Sequence, residues 1–313
     1  MNRRMARRNL CFGVFFLLSV LLFWKPLKLL LYFSFQNVHL SHIFLIPLLS
    51  LILIWWERKG IFSSVRSSYG SGLLLLSVAA VLYGVAFQNP FLLSQHDYLS
   101  ASTLALVFTW LAIFALCYGS ASFQAAAFPL LFLLLMVPVP ELLLGRIISA
   151  LQEGSAALAH GLFKLSGVPT YRDGFYFTLP GLTIEVAEEC SGIRSSIALF
   201  VTSLLAGHLS LRTGWGRLSL ILLVIPLALL KNAVRIVVIT LLGLYVDRGF
   251  LTGYLHHRGG IVFFLFSVAL LVIVLGVLQR LEDRNRRDGG ALSQGLMKFW
   301  PWLGWGRRES RSP

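Results

Sequence analysis

Charge is what this sequence has least of. Only 13% of its 313 residues are Asp, Glu, Lys or Arg, while 57% are hydrophobic. A soluble domain carries about a quarter charged residues, so a soluble globular protein is excluded. The mean hydropathy is +0.78. Apolar runs recur along nearly the whole chain, which predicts an all-α polytopic membrane protein rather than a soluble body with one anchor. Acidic residues are scarcer still: 13 Asp and Glu stand against 27 Lys and Arg, for a net charge of +14. An excess of that size can serve nucleic acid. Here the cations cluster between and after the apolar runs, as they do in cytoplasmic loops, and no nucleic-acid partner is expected.

Cysteine is nearly absent, with three in all: Cys11, Cys117 and Cys190. An odd count without paired spacing argues against a disulfide framework and a zinc site, and no metal or organic cofactor is indicated. Cys11 and Cys117 lie in apolar runs and read as small core or lipid-facing residues. The four arginines Arg3, Arg4, Arg7 and Arg8 precede an apolar stretch as in a signal peptide. No small-residue cleavage site appears before Trp24, so a retained first span is expected. There is also no internal repeat. That counts against a transporter built from inverted halves, although intramembrane cations could bind an anionic solute. Acidic residues in the outer loops are thin, with Asp97 and Asp247 the candidates, which gives little support to a metal-dependent glycosyltransferase. A polysaccharide-export scaffold is the remaining alternative without peptide-bond chemistry.

About eight spans are predicted, near residues 10–31, 43–56, 71–88, 102–118, 124–139, 191–209, 218–245 and 260–279. Residues 141–166 mix apolar periodicity with Glu141, Arg146, Glu153, His160 and Lys164, predicting an amphipathic helix. In residues 167–186, Gly, Pro and Asp-Gly punctuate short runs of Tyr, Phe, Thr, Ile and Val, predicting a small β-hairpin outside the bilayer. With the amino terminus inside, Arg58, Lys59, Arg66, Arg212, Arg217, Arg280, Arg284, Arg286 and Arg287 all fall on the cytoplasmic side. The hairpin and the start of the sixth span then lie outside. The domain division is a transmembrane region over 1–280, with its core at 130–280, and a basic, Trp-containing cytoplasmic tail over 281–313.

Three polar positions stand out against this background. The stretch VAEECSGIRSS (186–196) places Cys190 at the outer start of a span, with Glu188, Glu189, Ser191 and Arg194 around it. A helix N-terminus favours the thiolate. The seventh span contains LLKNAVRIVVIT (229–240), in which Lys231, Asn232 and Arg235 share roughly one helix face. Arginine in the hydrocarbon costs several kcal/mol unless it is paired or wet, so such residues are functional candidates. The bland reading is a structural ion pair with Glu188 or Glu189. Before the eighth span comes YLHHRGG, with His256 and His257. Thiolate, imidazole and guanidinium are the minimum set for acyl transfer through a thioester. The cysteine attacks a carbonyl, a histidine shuttles the proton, and Arg235 holds the oxyanion.

At these residues the chain resembles the exosortase/archaeosortase family of membrane cysteine transpeptidases, over most of residues 40–280. The resemblance is carried by VAEECSGIRS around Cys190, KNAVRI around Arg235, and His256 four residues before Gly260 with Phe263 and Phe264 after it. Softer matches are LSHIFLIPLLSLILIWWER (40–58), which includes Ser41-His42, LLMVPVPELLLGRIISALQ (134–152) and the hairpin stretch. The resemblance implies a catalytic triad of Cys190, Arg235 and His256, with His257 as the rival imidazole. Glu188, Glu189, Arg194, Asn232 and His257 are expected around bound substrate. Lys231 departs from the family pattern, which more usually has an uncharged residue there. The resemblance further implies the substrates: secreted proteins ending in a sorting signal, which is a motif such as Pro-Glu-Pro, a transmembrane helix and a basic tail. The expected setting is a bacterial inner membrane with a periplasmic active site. The expected partners are those signals, membrane lipid and exopolysaccharide machinery.

Overall fold

The computed structural model describes residues 3–36, 40, 42–63, 65, 69–88, 94–187, 191–252 and 260–299, with side chains up to Asn285 in the last stretch. The protein is an all-α polytopic membrane protein with one small three-stranded antiparallel sheet. Its elements run α1 (Arg3–Leu22), α2 (Trp24–Gln36), α3 (Leu45–Ile61), α4 (Tyr69–Gln88), α5 (Gln95–Tyr118), α6 (Ser120–Ala125) and α7 (Ala127–Phe132). A 3-10 turn (Leu133–Met136) and α8 (Glu141–Leu165) follow, then β1 (Tyr171–Asp173), β2 (Tyr176–Leu179) and β3 (Leu182–Glu185). The chain continues through α9 (Ile193–Ser210), α10 (Gly214–Tyr245), α11 (Gly249–Thr252) and α12 (Gly260–Phe299).

Among the described residues six helices are long and apolar enough to cross a membrane, or seven if the bent pair Ala127–Met136 and Glu141–Leu165 is one span. The remaining run of the sequence reading is α3, whose 17 residues span about 26 Å. Two of the expected spans take a different form. The run at 10–31 breaks at Phe23 into α1 and α2, just before the Lys25-Pro26 interruption. The run at 124–139 is short helical pieces that turn by 91° into α8. The cause is local: Val137 is held extended (φ −76°, ψ 121°) ahead of Pro138, and Pro140 follows two residues later. α8 then starts with its Glu141 N–H donating to Asp97 Oδ1 at 2.9 Å. The last helix runs past Arg280, where the sequence reading places the start of the tail.

The molecule divides into two compact units, one formed largely by residues 1–157 and the other largely by the chain from Ser195 onward. In the first, α5 is buried along most of its length, with α1, α2 and α4 packed around it. Polar contacts pin α1 to α5: Trp110 Nε1 donates to Ser19 Oγ at 3.0 Å, and the Tyr118 hydroxyl donates to Asn9 Oδ1 at 3.0 Å. In the second unit, Leu199, Leu211, Leu220, Val224 and Leu271 form the core between α9, α10 and α12. Glu282 of α12 closes the α9–α10 turn. It accepts from the N–H groups of Arg212 and Thr213 at 3.0 and 3.1 Å, and from the Thr213 hydroxyl. Thr213 is also the N-cap of α10, its Oγ1 accepting from Gly216 N–H at 3.0 Å.

The sheet is a meander rather than the single hairpin expected. The second turn, Pro180-Gly181, has Gly181 at φ 76°, which suits a tight turn with Pro first and Gly second. Alternation explains the burial: Phe177 and Leu179 point into the protein, while Tyr176 and Thr178 are exposed.

Candidate active site

The chain enters α9 through a turn that a side chain would strain, with Gly192 at φ 74°. Ser191 is buried, and its Oγ accepts from Ile193 N–H at 3.4 Å, satisfying one amide at the helix start. Cys190 immediately precedes this turn in the sequence. Glu188, Glu189 and Cys190 lie outside the described residues, as do His256, His257 and Ser41.

Upstream of the same segment, Val186 is fixed through both of its main-chain groups. Its N–H donates to Phe175 O at 2.9 Å, and its carbonyl accepts from the Gln152 side-chain amide. Gln152 lies on the buried stripe of α8, with Ser155, Ala156, Ala159 and Phe163 at helical spacing. Glu153, next to it, forms an ion pair with Arg172 of β1.

The polar residues of α10 sit in its second half. Lys231 and Asn232 are only 2% and 1% exposed, and Arg235 is half-buried. The Lys231 ammonium donates to Ser195 Oγ in the first turn of α9. Helical rise accounts for that meeting: both residues lie roughly 25 Å from the turn that joins the two antiparallel helices. Arg235 follows Lys231 by one helical turn, close enough for the two charges to interact. Lys231 thus has the Ser195 hydroxyl as a hydrogen-bond partner.

Of the residues expected at the site, Arg235 and Asn232 thus share a buried polar stretch with Lys231, and Arg194 is exposed in the first turn of α9. Two residues were not singled out from sequence. Ser195 resembles any small polar residue of an apolar helix. Gln152 carried a signal, being a long amide in phase with the buried face of α8.

The protein so described is a polytopic membrane protein with buried cationic and amide side chains beside the start of α9. A family model, transmembrane exosortase, matches residues 34–273, well over half of the chain. The chain belongs to the transmembrane exosortases, a family of membrane transpeptidases. No curated protein and no solved structure matches it.

Proposed function

We propose that the protein cuts the C-terminal sorting signal of secreted proteins at the outer face of the inner membrane, through a thioester on Cys190. The Cys190 sulfur attacks the scissile carbonyl carbon, and its proton passes to His256. Arg235 stabilises the tetrahedral oxyanion. The C–N bond then breaks, and His256 returns the proton to the leaving amine. An acceptor amine or water attacks the thioester carbonyl, releasing the protein and restoring the thiol. Glu188, Glu189, Arg194, Asn232 and His257 line the approach of the substrate. Both termini are cytoplasmic, and the partners are the sorting signals, membrane lipid and exopolysaccharide machinery.

The observation that carries this reading is the family match over the two stretches bearing Cys190 and Arg235, joined to the burial of Lys231 and Asn232 on the helix that carries Arg235. Buried intramembrane polar groups at such cost mark function rather than lipid anchoring. The test is co-expression with a reporter ending in a candidate sorting signal. Wild type converts the reporter to its cleaved form, and Cys190→Ser leaves it full length. Processing by Cys190→Ser at the wild-type rate would overturn the thioester mechanism.

A further inference from the structure

We infer that the free edge of β3 is a docking strand for an extended segment of the substrate polypeptide. This rests on the function proposed above and adds where the peptide binds.

The sheet order is β1-β2-β3, so β3 lies at an edge. The Val186 N–H bond to Phe175 O sets the phase of the β2–β3 ladder. In an antiparallel pair the hydrogen-bonded positions alternate, so Ile184 and Leu182 share the inward phase of Val186. The main-chain groups of Thr183 and Glu185 therefore point away from β2. On its other side β2 is in register with β1 as Tyr171 with Thr178, Arg172 with Phe177 and Asp173 with Tyr176. The alternation that turns Phe177 toward β3 turns Thr178 and Tyr176 toward β1. Among the described residues no backbone partner meets Thr183 or Glu185 on the outer side, and both are exposed. An unpaired edge of this kind accepts one more strand, with main-chain hydrogen bonds giving affinity.

Continuity with the nucleophile selects the occupant. β3 leads directly into Val186, which is clamped by Phe175 and Gln152. Cys190 follows Glu185 by five residues, so the chain tether keeps its Cα within about 17 Å of the edge. A peptide laid along β3 is therefore within that tether length of Cys190.

Proline at an outward position removes one outward N–H and leaves the inward ladder intact. Thr183→Pro is therefore compared with wild type in proteoliposomes, with the sorting-signal reporter varied in amount. The expected result is an apparent KM raised about two- to tenfold, the worth of one hydrogen bond, with kcat and the rate of Cys190 alkylation unchanged. A wild-type KM overturns the proposal. Should Thr183→Pro not fold, a benzophenone side chain placed at residue 183 in a Cys190→Ala chain gives a second reading. Photolysis should yield an adduct with the reporter. An adduct only with lipid or with another copy of this chain overturns the docking strand. If Cys190→Ser remains dead while Thr183→Pro is wild type, the docking strand alone fails. If Cys190→Ser processes normally, the catalytic reading fails whatever residue 183 contacts.

Discussion

The two ends of the α9–α10 pair hold charge in opposite ways. At the connecting turn, Glu282 receives two backbone N–H groups and the Thr213 hydroxyl, and Arg217 beside it donates to Leu211 O at 3.0 Å. Some 25 Å along the helices, Lys231 is 2% exposed and meets one neutral hydroxyl, with a second cation one turn away. The first arrangement gives a half-buried charge what it needs and ties three chain segments together, as architecture does. The second takes a charge out of water against one hydroxyl among the described residues, an arrangement that costs stability and is retained where the site serves another purpose. The same helix pair thus separates what holds the fold from what the fold holds.

The largest effect that sharpens this contrast belongs to Arg235. Arg235→Ala should lower reporter processing by about 10²- to 10³-fold, the loss expected when one preorganised oxyanion donor goes. Arg235→Lys keeps the charge but not the planar fork, and should recover only part of the rate. Thermal unfolding in detergent should shift little in either variant. A large drop in the unfolding midpoint with the rate per folded molecule preserved would move Arg235 to the architectural side.

Glu282 should behave in the reverse sense. Glu282→Ala strips the acceptor from the amides of Arg212 and Thr213, and since the group is only half-buried, water replaces part of the loss. A cost of about 1–2 kcal/mol follows, read as a lower unfolding midpoint. Processing per folded molecule should stay at the wild-type level. A variant as stable as wild type but slow would show that the turn end is coupled to the chemistry.

Local chemistry made much of this visible in the sequence. Long apolar runs became helices because a bilayer leaves the backbone no other partner. The amphipathic stretch became α8 because its apolar positions repeat at the helical period. Punctuation by Gly, Pro and Asp-Gly locates the sheet, but a single hairpin accounts for only one of its two turns, and the third strand needs the second turn at Pro180-Gly181. What stayed hidden depended on partners distant in sequence. Glu282 lay in what read as the start of a charged tail, and nothing near it hinted at Thr213. Lys231 was conspicuous as a cation in an apolar helix, but its partner Ser195 was one serine among several. The bend at Pro138 and Pro140 was written in the residues, yet the apolar run across it mimicked a continuous span.

The finest test of the contrast is Lys231 itself. Methionine matches the lysine stem in length and helix propensity without the charge. In Lys231→Met, the Ser195 hydroxyl can turn back to a carbonyl of the preceding turn, so it need not stay unpaired. Stability should therefore hold, or rise by up to about 2 kcal/mol, as it does when a buried charge gives way to an apolar residue of similar volume. Processing should slow only about three- to tenfold, because Arg235 remains and the missing charge acts from one turn away. The pairing of an unchanged or higher midpoint with a slower rate is what separates a functional charge from a structural one. If the midpoint instead falls as far as it does for Glu282→Ala, the bond to Ser195 is holding α9 to α10, and both ends of the helix pair are architecture.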